Sequence, residues 1–473
     1  MDYISPLDDR YYEELRDYAA AVSEKAFVKY RLRIEILYLN FVVDALSRVG
    51  LVKPLTKEEK ERLLSLKFSD DDYERFKEIE GKLGHDVKAI EYLLREKLGS
   101  VDLGRITHLT HIGLTSEDVN NLALGILVRI ATYNYLMPEL TNLLSTLVTL
   151  MERYASLPML GRTHGQPATP TTLGKEIAYH ACRLTYWLSM TTDIKLQGKV
   201  SGATGSMASF PMISRDIDWP QELNKFVREL GFEPALVTTQ ILPPDTLTQL
   251  LTSIGLMSQS LINLAQDLWI YNMLGYVHVH GRPIGSSTMP HKVNPVDLEN
   301  AEGNLKLGSS ILMEISRHIQ VSRLQRDLSD STIKRNIGLG IAHVILGVRR
   351  LNAVLSSIDV DDDAISKDLN EHWEVLSEAV QVRLRALGMA DAYERALAIF
   401  RRSRMGIEDY ERVLDELGVN DDVLRGLSPG KYIGYARDLT MNCLSQCKYT
   451  LEIIRAKMSN EVNTLKSLEF LGQ

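Results

Sequence analysis

The chain has few cysteines, and their spacing matches no framework that uses them. Cys182, Cys443 and Cys447 are the three cysteines among 473 residues, too few and too scattered for the disulfide framework of a small secreted domain. Cys443 and Cys447 are four residues apart, but no second cysteine pair is present to complete a zinc site. We therefore expect three reduced structural thiols.

The sequence also lacks the features of membrane and nucleic-acid-binding proteins. Residues 1–6 contain no basic stretch followed by an apolar one, and no apolar run has the length needed to cross a bilayer. The net charge of −8 argues against a general nucleic-acid binder. We expect a cytosolic protein with neither membrane nor nucleic acid as a partner. Any anionic ligand of such an acidic chain needs a local cluster of arginines and lysines.

Apolar periodicity predicts long helices. From Asp245 to about Leu274, apolar residues recur in alternating steps of three and four, which predicts a helix of seven or more turns. Four further long helices are predicted from Ser116 to Met151 with a kink at Pro138, from Pro170 through Leu188, from Glu299 to His318, and from Asn336 to Ser357. The fold class is therefore all-α. Stripes so poor in aromatic residues suit helices that pack against copies of themselves, although one monomeric bundle is the alternative.

Composition predicts three helical domains, because 473 residues exceed one typical hydrophobic core. The N-terminal domain covers residues 1–115, is rich in charge, and has Asp70-Asp71-Asp72 as a predicted turn. The central long-helix bundle covers residues 116–358. An acidic run at 359–363 opens a C-terminal domain, residues 359–473, whose shorter helices are interrupted by glycines and by Ser428-Pro429-Gly430.

The most informative stretch is residues 285–295, Gly-Ser-Ser-Thr-Met-Pro-His-Lys-Val-Asn-Pro. Its glycine and prolines rule out a continuous helix, so its polar groups are presented from irregular backbone. The ordered combination resembles the signature of the fumarase/aspartase superfamily, whose members remove fumarate from a succinyl group. The alternative for any one of these residues alone is an ordinary loop with a solvated lysine.

The resemblance implies specific roles in this stretch. Ser286 is the expected base that takes the proton beside a carboxylate, and Lys292 and Asn294 are expected to stabilise the resulting aci-carboxylate. A serine base needs backbone amides and a nearby cation to stabilise its alkoxide. Ser287 and Met289 are expected to bind substrate. Glu299, a few residues beyond, is expected to orient a histidine; its alternative is a carboxylate favoured by a helix N-terminus.

A second motif, residues 161–170, reads Gly-Arg-Thr-His-Gly-Gln-Pro-Ala-Thr-Pro. Its glycines and prolines predict a loop that places His164 ahead of the helix after Pro170. In the resembling family this histidine is the general acid that protonates the leaving nitrogen. Thr163 and Gln166 are expected to bind a substrate carboxylate or amide. The alternative for His164 is a solvated or capping histidine.

A third motif lies between His108 and Asp118. Thr115 and Asp118 predict a capping box that opens the long helix, and a helix N-terminus presents amides to an anion. Thr115 and Ser116 are therefore expected to hold a carboxylate, although a plain cap explains the same residues and both can hold. His111 is a family-supported partner for substrate, whereas His108 is predicted to pack.

Further segments are similar to the adenylosuccinate lyase family within that superfamily. The matching positions are His85 in a His-Asp-Val stretch, Arg10 and Tyr11, Gln240, and Arg326, Ser331 and Arg335 within residues 323–335. His85 is expected to assist the acid, and the other positions to bind substrate through its phosphate and base. Residues 372–378 and 428–434 resemble the bacterial branch of the family. The alternative for residues 323–335 is a surface charge face paired to Asp327 and Asp330.

The resemblance implies two small-molecule substrates, adenylosuccinate and succinylaminoimidazole carboxamide ribotide (SAICAR), and no metal or organic cofactor. It also implies a homotetramer in which the central domains form a twenty-helix core and the active sites are shared between subunits. Three alternatives remain at this level. They are a sister lyase for argininosuccinate, aspartate or malate, a metal hydrolase built on His85, His108, His111, His278 and His280, and a non-catalytic protein on this fold.

Overall fold

The computed structural model describes residues 4–279, 289, 291–400 and 404–471, so Ser286 and Ser287 lie outside the described residues. The first helices are α1 (Tyr12–Val22), α2 (Glu24–Arg48), α3 (Lys57–Leu64), α4 (Asp70–Leu83) and α5 (Asp86–Ser100). Short 3₁₀ helices cover Pro6–Asp8 and Gly104–Leu109. The turn predicted at Asp70-Asp71-Asp72 is wrong. These residues form the first turn of α4, where Ser69 caps the helix and the helix dipole favours carboxylates.

The middle of the chain contains the long helices. The elements are α6 (Ser116–Arg129), a π-helical segment (Ile130–Leu136), α7 (Met137–Arg153), α8 (Leu173–Asp193), α9 (Phe210–Ile213), α10 (Trp219–Glu229), α11 (Asp245–Met273), α12 (Val296–His318), α13 (Ser329–Lys334) and α14 (Ile337–Ser356). All five predicted long helices are confirmed. The kink at Pro138 stays a prediction. Pro138 stands in the first turn of α7, where a missing N–H costs little, and the π-helical segment ends two residues before it.

α11, α12 and α14 pack side by side in alternating directions. Thr248 near the start of α11 donates to the Ser316 carbonyl near the end of α12 (3.4 Å), whereas Glu299 at the start of α12 accepts from Trp269 near the end of α11 (3.3 Å). α12 and α14 touch through glycines, since a Cβ on Gly308 would lie 2.9 Å from the Gly340 carbonyl oxygen. The bundle therefore has two ends. We call the end where α11 finishes and α12 begins the loop end, and the end where α11 begins and α12 finishes the cap end.

The short strands are β1 (Pro158–Thr163), β2 (Gln166–Thr172), β3 (Gln197–Gly198), β4 (Glu233–Pro234), β5 (Val277–Val279) and β6 (Ile358–Val360). β1 and β2 form an antiparallel hairpin where a loop was predicted. His164 and Gly165 form its turn with positive φ angles of 54° and 73°, as a two-residue turn matched to strand twist requires. Pro170 lies within β2 rather than at the start of a helix, and Thr172 caps α8.

The C-terminal elements are α15 (Asp362–Asn370), α16 (Ser377–Ala386), α17 (Ala392–Phe400), α18 (Ile407–Glu416), α19 (Asp422–Arg425) and α20 (Ala436–Ser467), with 3₁₀ helices at Trp373–Leu376 and Pro429–Lys431. The shorter helices have a small core of their own, which includes Trp373 and Tyr410. α20 instead returns to the bundle, where Leu444 and Leu451 join the main core. β6 includes the predicted boundary between the second and third domains, after residue 358, and pairs with β5 of the second domain. The three domain bounds stay a prediction.

Two expectations about cysteines and apolar runs are wrong. Cys182 on α8 and Cys443 on α20 form a disulfide, because the two helices pack side by side although 261 residues separate the cysteines. Cys447 is a free, buried thiol, and burial raises its pKa. The helical stretch Ser329–Ser356 is also long and apolar enough to cross a membrane by length and composition. Its most apolar window is 67% buried inside the structure, as in the core helix of a globular protein.

Candidate active site

The capping box at the start of α6 is confirmed. The backbone N–H of Thr115 donates to Asp118 Oδ2 (2.9 Å). The buried Asp118 carboxylate also accepts from Lys199 Nζ (2.7 Å), the Ser201 N–H (2.9 Å) and the Gly202 N–H (3.0 Å). These bonds fix the turn that carries Thr115 and Ser116 against the segment that follows β3. The plain structural role of the cap is therefore real, and it also holds the two predicted substrate-binding residues in place.

His111 is held beside that turn by a buried carboxylate. Its Nδ1 lies 2.5 Å from Oε1 of Glu35, a fully buried residue of α2, and its backbone has a positive φ of 60°. Burial opposes the imidazolium, but the charge of Glu35 and the hydrogen bond outweigh it, so the pKa of His111 is raised. Oε2 of Glu35 has no hydrogen-bond partner among the described residues. His108 was predicted to pack but is exposed.

Sequence analysis missed Glu35. The signal that could have found it is the run of residues 31–36, Arg-Leu-Arg-Ile-Glu-Ile, in which charged and apolar residues alternate inside a long helix. The structure buries Arg31, Arg33 and Glu35. Charged side chains are almost never fully buried unless they are paired. Charges at such positions therefore indicate either a structural ion pair or a site.

The His85 motif contacts α2 as well. His85 is the N-cap residue of α5, and its Nδ1 accepts from the Lys88 N–H (3.3 Å). Asp86 pairs with Nη1 of Arg31 (3.1 Å), whose guanidinium lies 3.8 Å from the centre of the Phe27 ring. Arg31 is buried, and burial lowers its pKa although Asp86 opposes that shift. Arg31 is a second residue that sequence analysis missed.

Arg326 joins three predicted regions at the cap end. Its Nη2 pairs with Oε2 of Glu117, the second residue of α6 (3.2 Å), and its Nη1 donates to Oε1 of Gln240 (3.4 Å). Burial raises the pKa of Glu117, although Lys334 and Arg326 oppose that shift. Because Glu117 follows Ser116, this contact brings Gln240 and Arg326 to the start of α6.

Arg326 and Glu117 line a cavity of about 120 Å³ together with Arg31, Ser331, Lys334 and Arg335, and Gln240 reaches this group through its hydrogen bond with Arg326. The structure therefore gathers Gln240, Arg326, Ser331 and Arg335 as predicted. The alternative of a paired charge face also holds in part, since Lys334 pairs with Asp330 (2.5 Å) and Arg323 with Asp327 (3.6 Å). The lining carries four cations and three carboxylates, namely Arg31, Arg326, Lys334 and Arg335 with Glu24, Glu117 and Asp330. Positive charge is therefore in excess by one, and Arg335 is the lining cation that makes no ion pair with a described residue.

His164 lies at the loop end. Thr163, His164 and Gln166 are exposed at the tip of the β1–β2 hairpin. Asp368 of α15 accepts from Arg162 Nη2 (2.5 Å) and from the Tyr276 hydroxyl, so it ties this hairpin to the segment that enters β5. The general acid expected from the sequence therefore lies on a hairpin that is anchored to the segment entering β5, the strand that ends at Val279.

The remaining loop residues lie at the same end. Lys292 and Met289 are exposed, and the Lys292 N–H donates to the Met289 carbonyl (3.0 Å). Asn294 is half-buried just before α12. Glu299 accepts from Trp269, and none of the contacts found for the described part of this chain pairs it with a histidine.

Arg10 and Tyr11 do not join the cavity at the cap end. The Tyr11 hydroxyl accepts from Asn300 Nδ2 in the first turns of α12 (3.0 Å). Arg10 is exposed beside it, with its guanidinium 6.0 Å from the centre of the Tyr11 ring. Both residues therefore lie toward the loop end, although the resemblance assigns them to the same phosphate as Arg326, Ser331 and Arg335.

The predicted site residues thus fall into two groups. The group at the cap end consists of His85, His111, Thr115, Ser116, Gln240, Arg326, Ser331 and Arg335. The group toward the loop end consists of Arg10, Tyr11, Thr163, His164, Gln166, Met289, Lys292, Asn294 and Glu299. α11, with 29 residues, connects the two ends and is about 43 Å long at a rise of 1.5 Å per residue. One chain alone does not bring the two groups together.

The histidines of the metal-hydrolase alternative do not converge either. His111 binds Glu35, His278 pairs with Asp361 (3.5 Å), and His280 lies outside the described residues. Within the part of the chain that the structure describes, the group with metal-ligand spacing is instead Cys182, Cys443 and Cys447, whose sulfurs lie within 4.8 Å of one another. Two of those sulfurs are bonded to each other.

Comparison with solved structures shows the fold. A fumarate lyase from Mesorhizobium sp. BNC1 superposes with a TM-score of 0.73 at 20% identity, over 91% of this chain and 97% of that one. The 3-carboxy-cis,cis-muconate lactonizing enzyme from Pseudomonas putida superposes with a TM-score of 0.70 at 20% identity, over 94% of this chain and 100% of that one.

Comparison of sequences shows the family. Residues 10–308 match a family model described as Lyase, and residues 322–433 match one described as Adenylosuccinate lyase C-terminal. Adenylosuccinate lyases from Haemophilus influenzae and from Dictyostelium discoideum are 34% and 37% identical, each over 92% of this chain and 97% of the relative. The fold and these matches define an all-helical lyase of the fumarase/aspartase superfamily. Within it, the chain belongs to the adenylosuccinate lyase family.

Proposed function

We propose that this protein cleaves adenylosuccinate to AMP and fumarate, and SAICAR to the carboxamide ribotide and fumarate. The observation that carries the proposal is the cavity at the cap end, where Arg326, Arg335 and Arg31 lie beside Glu117 in the first turn of α6. Glu35, which binds His111, follows Arg31 by one helical turn on α2. Both substrates carry a ribose phosphate and an N-succinyl group. Guanidinium groups suit the phosphate, and a helix N-terminus suits a carboxylate.

The proposed reaction is a β-elimination. Ser286 takes the proton from the carbon beside a succinyl carboxylate, and the charge moves into that carboxylate as the aci form. Lys292 and Asn294, with Thr115 and Ser116, stabilise this dianion-like group. His164 protonates the nitrogen as its bond to carbon breaks, so the amine leaves neutral and fumarate is released. Ser287, Met289, Thr163 and Gln166 hold the succinyl group.

His111 assists His164 in this scheme, together with His85. Glu35 favours the charged imidazolium of His111 and fixes its ring through Nδ1. Nε2 is then the nitrogen available to a substrate. The His111 imidazolium would attract the negative groups of the substrate before any bond breaks. The buried Glu35 carboxylate serves this role because it stabilises the positive charge of the ring.

The phosphate-binding group in the proposal is Arg326, Ser331 and Arg335 with Arg10 and Tyr11, and Gln240 binds the substrate beside Arg326. Because Arg10 and Tyr11 lie toward the loop end of the same chain, they would reach this phosphate from another subunit. Glu299 would likewise meet a histidine of another subunit.

We further propose a homotetramer with active sites shared between subunits. The separation of the two groups of site residues along the 29 residues of α11 supports this arrangement, because a second chain running antiparallel would place its loop end beside the first chain's cap end. Exposed apolar side chains on three long helices support a shared twenty-helix core, namely Tyr179, Tyr186 and Met190 of α8, Leu256, Ile270 and Met273 of α11, and Leu307 of α12. A cytoplasmic location is part of the same proposal.

The proposal is tested by ultraviolet absorbance of purified protein mixed with adenylosuccinate, with SAICAR in a parallel reaction. The arms are the wild type, the wild type with a chelator, Ser286→Ala, and Ser310→Ala as a control serine on the exposed side of α12. We expect turnover in the wild type, with chelator and in the control, and a loss of at least a thousandfold in Ser286→Ala. A folded oligomer that leaves adenylosuccinate unchanged but cleaves argininosuccinate, aspartate or malate would overturn the assignment.

A further inference from the structure

We propose that a second cavity, separate from the proposed active site, binds a phosphorylated small molecule. This cavity lies between α2, the connection from α3 to α4, and the end of α20, and its volume is about 530 Å³. Small-molecule sites typically measure about 300–1,000 Å³. We call it the basic cavity, and its charged lining consists of Lys29, Arg33, Lys67, Lys466 and Glu469.

The basic cavity concentrates positive charge in a chain whose net charge is −8. Four cations and one carboxylate face it. Arg33 uses its donors within the protein, to the Leu468 carbonyl (3.0 Å), to the Leu64 carbonyl (2.5 Å) and to Glu469 (3.3 Å). Glu469 is therefore already paired with the most buried of the four cations.

The three lysines have no such partner. No ion pair joins Lys29, Lys67 or Lys466 to any residue in the described part of the chain, whereas the buried cations Arg31 and Lys199 are both paired. Three ammonium groups around one cavity repel each other unless an anion lies between them. Burial lowers the pKa of Lys29 and of Arg33, in keeping with a site that disfavours uncompensated positive charge.

The chemistry of the lining fits a phosphate ester better than a bare carboxylate. Lysines bind phosphate as point charges from several directions, and three free ammonium groups match a group that carries two or more negative charges. Leu32, Ile36 and Phe68 form an apolar wall beside these charges, which suits the organic part of an ester. A site with both features accepts a phosphorylated metabolite in preference to a simple salt ion.

The basic cavity does not belong to the proposed active site. Lys29, Arg33 and Ile36 follow one face of α2 at helical spacing, whereas Phe27 and Arg31, which line the cavity at the cap end, follow the opposite face. The body of α2 lies between the two cavities. The inference is therefore independent of the proposed function, although a ligand in the basic cavity would press on the helix that carries Arg31 and Glu35.

The test is calorimetric titration of the full chain with inorganic pyrophosphate. All arms carry Arg335→Gln, which weakens phosphate binding at the cap end. The test variant adds Lys29→Gln, Lys67→Gln and Lys466→Gln. The matched control adds Lys53→Gln, Lys57→Gln and Lys82→Gln, three exposed lysines outside the cavity that make no ion pair with a described residue. We expect binding at least tenfold weaker in the test variant and changed less than twofold in the control.

Equal weakening of pyrophosphate binding in both variants would mean that only the overall charge of the protein matters, and would overturn the proposal. Unchanged binding in the test variant would also overturn it. If the triple variant fails to fold, Lys67→Gln and Lys466→Gln, both at exposed positions, are titrated singly and each must weaken binding at least threefold. In the background with Arg335 intact, turnover of adenylosuccinate is expected to persist in the test variant. Failure of the proposed function would appear there and leave the pyrophosphate result unaffected.

Discussion

At the scale of single residues, buried charges determine how the cap end is built. Glu35, Arg31, Asp118 and Lys199 are all buried, and each belongs to an ion pair. Removing one partner of a buried pair leaves the other charge uncompensated, which costs far more than an exposed pair contributes. These residues are therefore where single substitutions should have the largest effects.

Glu35→Gln should lower the free energy of unfolding more at pH 6 than at pH 9. The pKa of His111 is raised in the folded state, so its charge contributes stability below its ordinary pKa, and that contribution disappears as pH rises through the folded value. We expect a loss of about 2 kcal/mol in the free energy of unfolding at pH 6 and a smaller loss at pH 9. Urea titrations at both pH values measure this, with the exposed Glu13→Gln as control. An equal loss at both values would contradict it.

Lys199→Met should lower the free energy of unfolding by about 3–5 kcal/mol, because it leaves the buried Asp118 carboxylate without its cation. Adding Asp118→Asn to that variant should cost less than the sum of the two single substitutions, since the uncompensated charge is then gone. Urea titration of the two single variants and the double variant closes the cycle. Strict additivity would mean that the two groups do not act as a pair.

At the scale of elements, some structure was predictable and some was not. α11 was placed almost to the residue because its apolar positions alternate by three and four over 29 residues. The β1–β2 hairpin was not, because the same glycines and prolines that break a helix suit a loop and a tight turn equally. The Cys182–Cys443 bridge was missed because it depends on α8 packing against α20, which no local spacing encodes.

The bridge between α8 and α20 gives a prediction about these elements. Reduction should lower the free energy of unfolding by about 2–4 kcal/mol, because it releases a long loop in the unfolded chain. Cys443→Ser should show a similar loss and no further response to reductant, whereas Cys447→Ser should keep the response. Urea titration with and without dithiothreitol, after mass spectrometry has verified reduction, measures both. An unchanged midpoint in fully reduced wild type would refute it.

At the scale of the whole molecule, the direction of the long helices determines which site residues meet. Sequence motifs predicted that Gln240, Arg326, Ser331 and Arg335 belong together. The structure places the last three around one cavity and joins Gln240 to Arg326 by a hydrogen bond. The same reasoning placed Arg10 and Tyr11 with them, yet Tyr11 contacts Asn300 toward the other end of the bundle. Motifs report which residues act together but not which chain supplies them. That answer needs the antiparallel packing of α11, α12 and α14.

Sharing of sites predicts recovery of activity in mixtures. His111→Asn and Lys292→Met chains should each be inactive alone, because each removes one group from every site. If a site takes His111 and Lys292 from different chains, random assembly of equal amounts leaves roughly a quarter of sites intact in a closed oligomer. The measurement is turnover of adenylosuccinate after co-refolding, with each variant refolded alone as the control. No recovery in a mixed oligomer of native mass would place both residues in one chain's site.

The return of α20 to the bundle has a consequence during synthesis. The groove between α7 and α8 that α20 covers is made early, whereas the residues that cover it, such as Leu444 and Leu451, are made some 250 residues later. A ribosome that adds roughly 5–20 residues per second needs on the order of tens of seconds to supply them. During that time the groove between α7 and α8 stays exposed on the nascent chain. Chaperone binding to the nascent chain should therefore peak late in translation and fall once α20 has left the exit tunnel.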